Sequence, residues 1–167
     1  MAARSARWMR LGPLEPVELR AACRGLASAQ ARDSAPIVVW AREEGHWCAF
    51  ALVVPRRFAP GRSWRWLSWA LSPVVALFRH LGFPAYLEGR EILLHGRRIA
   101  LGGAETIGEC AVVGSSFYCA WPREQELEHA FRLRVEAQNG WQFDTAWPDA
   151  AEQAAIARAT SAQAAAV

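Results

Sequence analysis

The sequence contains no lysine; all 19 basic side chains are arginine. That absence excludes Schiff-base chemistry and a P-loop phosphate lysine, both of which require a titratable or compact ammonium. Arginine stays charged at every accessible pH and presents a planar fork of donors. It suits phosphate or carboxylate binding and makes a poor base or nucleophile. Cysteine is sparse and scattered: Cys23, Cys48, Cys110 and Cys119 form no C-x-x-C pair, and no closely spaced histidines complete a metal site. These residues therefore read as buried reduced thiols of a cytoplasmic protein, with no metal expected.

Long apolar runs are also missing. Trp66 to Phe78 is uncharged, but Arg65 and Arg79 close it after about a dozen residues, against the roughly 20 a bilayer helix needs. It reads as a buried helix rather than a transmembrane segment. The basic stretch Met1 to Arg10 leads to Pro13 and Glu15 with no apolar region between, so no secretory signal is expected. There is no internal repeat and no evident linker.

What is present is the composition of a globular domain. The 167 residues are 53% hydrophobic and 21% charged, with a net charge of +3. Disorder is thereby excluded, and a single domain over residues 1–160 with a frayed tail at 161–167 is expected. The spacing of Val17, Leu19, Ala22, Cys23 and Leu26 predicts a helix from Glu15 to Gln30 with Pro16 in its first turn. Pro36–Ala41 and His46–Val54 are β-branched runs that predict two strands joined by a short turn. After a Pro/Gly loop, a helix is expected over Ser63 to Leu81, with Pro73 inside it and Gly82 closing it.

Short strands follow at Ala85–Leu87, Glu91–Leu94 and Arg97–Leu101, with a turn at His95-Gly96 and an interruption at Gly102-Gly103. A strand over Cys110–Ala120, a helix from Trp121 to about Gln138, and a last helix from Pro148 to about Thr160 complete the order. The expected fold is α+β, a mostly antiparallel or mixed sheet flanked by helices.

Isolated candidates for chemistry are weak. His46, His80, His95 and His129 are dispersed, and Glu105, Glu109 and Glu124 form no paired set. Arg123 to Glu128 reads as a solvated helix face. The Arg/Trp cluster from Arg62 to Trp69 leaves open a membrane surface or RNA contact, although a charge of +3 is small for either.

The segment Glu91-Ile92-Leu93-Leu94-His95-Gly96-Arg97-Arg98-Ile99-Ala100-Leu101-Gly102-Gly103-Ala104, followed by Ala111-Val112-Val113-Gly114-Ser115-Ser116-Phe117, resembles the biotin/lipoate protein ligase and octanoyltransferase family. Pro16–Ala27 resembles that family's first helix, Pro36–Arg42 and His46–Pro55 its early strands, and Trp66–Gly82 the helix that follows. The resemblance spans about Leu14 to Trp121. It implies a class II synthetase-like ligase fold, with lipoate, octanoate or biotin and ATP as ligands if the protein is active. A lipoyl or biotinyl carrier protein or a ligase partner is implied as partner, while the charge of +3 gives no expectation of nucleic acid.

The departures from the family pattern matter most. Arg98 stands where the family lysine contacts the acyl-adenylate, Glu91 replaces its aspartate, and Arg90 stands where the ligases tend to have Asn. The family's Gly-rich acyl-adenylate segment is deleted, since only Ala-Arg-Glu-Glu-Gly separates Trp40 from His46. Cys110 and Cys119 invite comparison with the octanoyltransferase nucleophile, but Cys119 follows Gly114 too closely to match it. By resemblance, the ligand-binding candidates are Arg97, Arg98, Gly102, Gly103 and Gly114, with Arg98 the catalytic candidate. The implied function is a ligase-like domain that has lost catalysis and serves as a binding or accessory protein. The alternative is an active lipoyl, octanoyl or biotinyl transferase that uses Arg98 and is completed by a partner chain. Edge strands left by the deletion would favour a homodimer, with His46–Val54 the strand expected to pair.

Overall fold

A computed structural model describes residues 2–43, 48–118 and 124–166. The elements are β1 (Arg4–Leu14), α1 (Pro16–Ala29), β2 (Ile37–Glu43), β3 (Cys48–Pro55), α2 (Trp66–His80), β4 (Tyr86–Glu88), β5 (Glu91–Leu94), β6 (Arg97–Ile107), β7 (Cys110–Phe117), α3 (Glu124–Asn139), β8 (Trp141–Thr145) and α4 (Ala150–Ala165). Two 3-10 turns, Arg56–Phe58 and Ser63–Arg65, lie between β3 and α2. The strands form one 8-stranded mixed sheet in the order β4-β5-β6-β7-β3-β2-β1-β8. Strand β1 pairs in parallel with β2 on one side and with β8 on the other, and the remaining pairings are antiparallel.

Strand alternation divides the core in two. Ala6, Trp8, Val38, Trp40, Phe50, Leu52, Val113 and Phe117 point to one face, under α2 and α3. Met9, Ile37, Val39, Ala49, Ala51, Val53 and Val112 point to the other, under α1. Helix α4 lies against α1 so closely that a Cβ on Gly25 would come within 2.5 Å of the Ile156 backbone. Alanine-rich α4 permits that approach because its small side chains keep the two axes near each other.

Pro73 stays inside α2. It has no N–H to donate to the carbonyl four residues back, so the Trp69 carbonyl loses its helical partner. Gln138 of α3 supplies one, its Nε2 donating to that oxygen at 2.9 Å, while the Ser72 hydroxyl lies 3.2 Å from the same carbonyl and 2.9 Å from Gln138 Oε1, either of which can accept its proton. The Trp69 indole donates to Asn139 Oδ1 at 2.8 Å. A local helix defect thus becomes the docking point for the end of α3. At its own C-terminus α2 closes in a Schellman motif, with Gly82 at φ 89° and Phe83 N donating to the Phe78 carbonyl at 2.9 Å.

Strand β1, which carries no clear periodicity in the sequence, pins both C-terminal helices. Arg7 donates two bonds to Glu152 of α4, at 2.7 and 2.8 Å, on the α1 side of the sheet. Arg10 grips Glu128 of α3 on the opposite side, Nε lying 2.6 and 2.9 Å from the two carboxylate oxygens. Glu152 and Glu128 are both buried. Glu152 also accepts from Gln30 at 2.8 Å and closes a reciprocal capping box with Asp149 at the start of α4. Burial pulls the Glu152 carboxyl up, but Arg7, the Asp149 N–H and Gln30 outweigh it and hold the pKa at about 2.

Several expectations change. Two strands, β1 and β8, add to those read from the sequence, and Gly102-Gly103 lies inside β6 rather than interrupting it. Strand β3 is central, bonded to β2 and β7, so it is not an edge available for dimer pairing; the edges are β4 and β8. Helix α4 continues to Ala165, past the expected end near Thr160. His46, Cys119, Trp121 and Pro122 lie outside the described residues.

A folded Glu152 pKa below its ordinary value of 4.5 adds stability that is complete above about pH 4.5 and lost as pH falls toward 2. Urea unfolding midpoints should decline across that window. Glu152→Gln should be destabilised by about 3 kcal/mol at pH 7 and show a shallower acid slope; an unchanged slope would remove Glu152 as its source. Separately, Gln138→Ala should cost roughly 1 kcal/mol in the parent. It should cost less in a Pro73→Ala background, where the backbone N–H restored by that substitution can take the Trp69 carbonyl. Equal costs in both backgrounds would contradict the proline-repair role.

Candidate functional site

The residues singled out by the resemblance lie on β5, β6 and β7. In the β5–β6 hairpin, Ile92 faces Ala100 and Leu93 faces Arg98, which leaves Ile99 as a bulge residue. Arg98 NH1 donates to Glu91 Oε1 at 2.9 Å, so the two positions matching the family's lysine and aspartate are joined to each other. The Arg98 guanidinium also sits 5.6 Å from the centre of the Tyr118 ring. Half of the Arg98 side chain remains exposed, so this pair is screened and weak. Arg97 is exposed beside it.

Two of the three glycines, Gly102 and Gly114, serve packing. A Cβ on Gly102 would press to 2.7 Å from Leu67 Cδ1 of α2, and one on Gly114 to 2.7 Å from the Phe50 carbonyl oxygen of β3. Gly103 points to open space on the other side of β6. The structure therefore brings Arg98 together with Glu91 and Tyr118, and it engages Gly102 and Gly114 against neighbouring elements.

Between the sheet and α3 the interior is filled with rings. Phe131 of α3 lies 4.5 Å from Phe50 and 5.8 Å from Trp40, centroid to centroid, and Phe117 lies 5.7 Å from Phe50. Trp8 joins this cluster through Trp40 and Phe143, and its buried indole Nε1 finds no acceptor among the described residues. Two surface clefts built from described residues, of about 640 and 780 Å³, lie elsewhere; neither has Arg97, Arg98, Gly102, Gly103 or Gly114 in its lining. One of them gathers Arg32, Arg56 and Arg57, a cluster spread too far along the chain to be read as a unit from sequence.

Two of the thiols, Cys23 and Cys110, are poor nucleophiles. Burial, with Glu105 nearby, pushes Cys23 up to about 12. Burial and Glu109 raise Cys110 to about 11 against the opposing pull of Arg56. Neither holds appreciable thiolate at neutral pH. Among the described residues, no group of three His, Cys, Asp or Glu is placed to hold a metal ion, and no helix is long and apolar enough to cross a membrane.

No protein-family profile matches the sequence, and no curated protein matches it. The structure does have close likenesses. A bi-partite lipoate protein ligase of Thermoplasma acidophilum, described with its E2 lipoyl domain, superposes with a TM-score of 0.75 at 10% identity, over 95% of this chain and 92% of that one. A lipoate-protein ligase A bound with ATP gives 0.69 at 10% identity, over 96% and 95%. The biotin acetyl coenzyme A carboxylase synthetase of Helicobacter pylori, with bound biotinylated ATP, gives 0.59 at 12% identity, over 79% and 75%. The chain has the fold of the lipoate- and biotin-protein ligases, as the hairpin and its flanking elements imply.

Because Arg98 is half exposed and engaged by surface groups, Arg98→Ala should change stability by less than about 1 kcal/mol. Thermal unfolding checks this, and a large loss would place Arg98 in a structural ion network.

Proposed function

We propose that this protein is a lipoate/biotin ligase-like domain that has lost acyl transfer and acts as an accessory or binding protein for a lipoyl or biotinyl carrier domain or for a ligase partner. The observation that carries this reading is the join between β2 and β3. Strand β2 ends at Glu43 and β3 begins at Cys48, with Ala41 already facing Ala49. A span that short leaves no chain for a Gly-rich cradle around an acyl phosphate. Two further features support it. Arg98, at the lysine position, presents a planar guanidinium fork in place of a compact ammonium. The space beneath α3 is occupied by Trp40, Phe50, Phe117 and Phe131.

A partner role is supported by the likeness to one protein described as bi-partite and studied with its lipoyl domain. We assign the protein to the cytoplasm, where buried thiols such as Cys23 and Cys110 stay reduced.

The test is to incubate the purified protein with ATP, a lipoyl or biotinyl carrier domain, and lipoate, octanoate or biotin, and to follow the carrier by mass spectrometry and titration calorimetry. The expected result is no mass gain, together with measurable association with a carrier domain or ligase. ATP-dependent acylation of the carrier by this chain, lost in Arg98→Ala, would overturn the reading and restore the enzyme with Arg98 in the lysine's role.

A further inference from the structure

We infer that the cleft lined by Arg32, Arg56 and Arg57 is a binding site for a phosphate-bearing ligand, separate from the Arg98 hairpin. The cleft lies at the other end of the sheet. Arg56 follows Pro55, the last residue of β3, whereas Arg98 adjoins the row formed by Ala100, Phe117 and Cys48. Seven strand steps separate Cys48 from Pro55, roughly 23 Å.

Three different parts of the chain deliver its cations and hydroxyl. Arg32 comes from the segment after α1, Arg56 and Arg57 from the 3-10 turn after β3, and Ser63 from the second turn. The base is fixed. The Trp66 indole donates to the Pro60 carbonyl at 2.7 Å, and the Arg56 N–H donates to the Glu109 carbonyl at 2.9 Å. The Phe58 ring carries the guanidinium carbons of Arg4 at 4.0 Å and Arg57 at 4.8 Å.

The nearby carboxylates offset this charge only in part. Glu109 is the acidic residue in the lining, 3.8 Å from Arg56, with both side chains at least half exposed. Asp33, the partner of Arg57, is 79% exposed. Exposed pairs of this kind are weak and screened, so a phosphate dianion can displace them and take two-pronged bonds from the guanidinium forks. The cleft volume of about 640 Å³ exceeds that of a lone ion and falls in the range of small-molecule sites.

The phosphate can arrive on a soluble molecule or on a lipid phosphomonoester headgroup. Trp64, 73% exposed between cleft residues Ser63 and Trp66 and beside Arg65, is the side chain that would report a lipid source, because an indole partitions into the membrane interface.

Calorimetry of the full chain with pyrophosphate at low salt, and cosedimentation with phosphatidylcholine vesicles with and without phosphatidic acid, test the site. Pyrophosphate should bind, about tenfold or more weaker in Arg32→Gln/Arg56→Gln and unchanged in Arg98→Gln, with thermal unfolding as the control for folding. Retention that requires phosphatidic acid and falls in Trp64→Ala assigns the lipid source. Retention no greater than on phosphatidylcholine alone, with pyrophosphate still bound, assigns the soluble one. The proposal is overturned if neither probe binds, if the double variant binds as the parent does, or if Arg98→Gln alone abolishes binding.

Discussion

The architecture depends on two carboxylates held out of water by arginines of one strand. Glu152 and Glu128 are buried, and an unpaired buried carboxylate would be strongly destabilising. Arg7 and Arg10, three residues apart on β1, point to opposite faces of the sheet and meet one carboxylate each. One strand in the interior of the sheet thereby fixes α4 on one side and α3 on the other. From α4 follows the tight crossing at Gly25, and from α3 the closure of the aromatic cluster over Trp8 and Trp40. The proline defect in α2 adds a second anchor for α3 through Gln138 and Asn139.

Such a frame accounts for how a ligase fold persists at about a tenth sequence identity to its structural likenesses. The sheet order, the hairpin and the helices on both faces need only alternating apolar residues and a few close-packed glycines. Gly114 is required by the Phe50 carbonyl whether or not a ligand binds, and Gly102 lets the Leu67 and Leu71 side chains of α2 pack onto β6. Residues that resemble a site can therefore be retained for packing. The proposed loss of acyl transfer rests on features outside that frame, the short β2–β3 join and a chain without lysine.

The elements legible in the sequence are those with local signals. Pro16 and the apolar spacing mark α1, the β-branched runs mark β2 and β3, and Gly82 marks the end of α2. Strand β1 escapes because its run is broken by Arg7 and Arg10, whose partners lie 145 and 118 residues away; only the fold shows why charged side chains belong there. Strand β8 is five residues long, and its Trp141-Gln-Phe143 alternation is the one available signal. Gly102-Gly103 reads as a break because glycine weakens strands in general, whereas here the Leu67 and Leu71 side chains of α2 pack down onto Gly102. At the candidate site, the hairpin alone puts Arg98 and Glu91 within reach of each other. The Tyr118 contact and the arginine cleft require the three-dimensional path of the chain.

Thermal unfolding with and without non-hydrolysable lipoyl-, octanoyl- and biotinyl-adenylates tests most directly whether the fold survives without an acyl-adenylate pocket. A ligand bound by the native state raises the melting temperature by mass action. The account predicts no shift with any of the three at concentrations that saturate an active ligase. A reproducible shift of several degrees with one of them would contradict it and show that the pocket persists despite the short β2–β3 join.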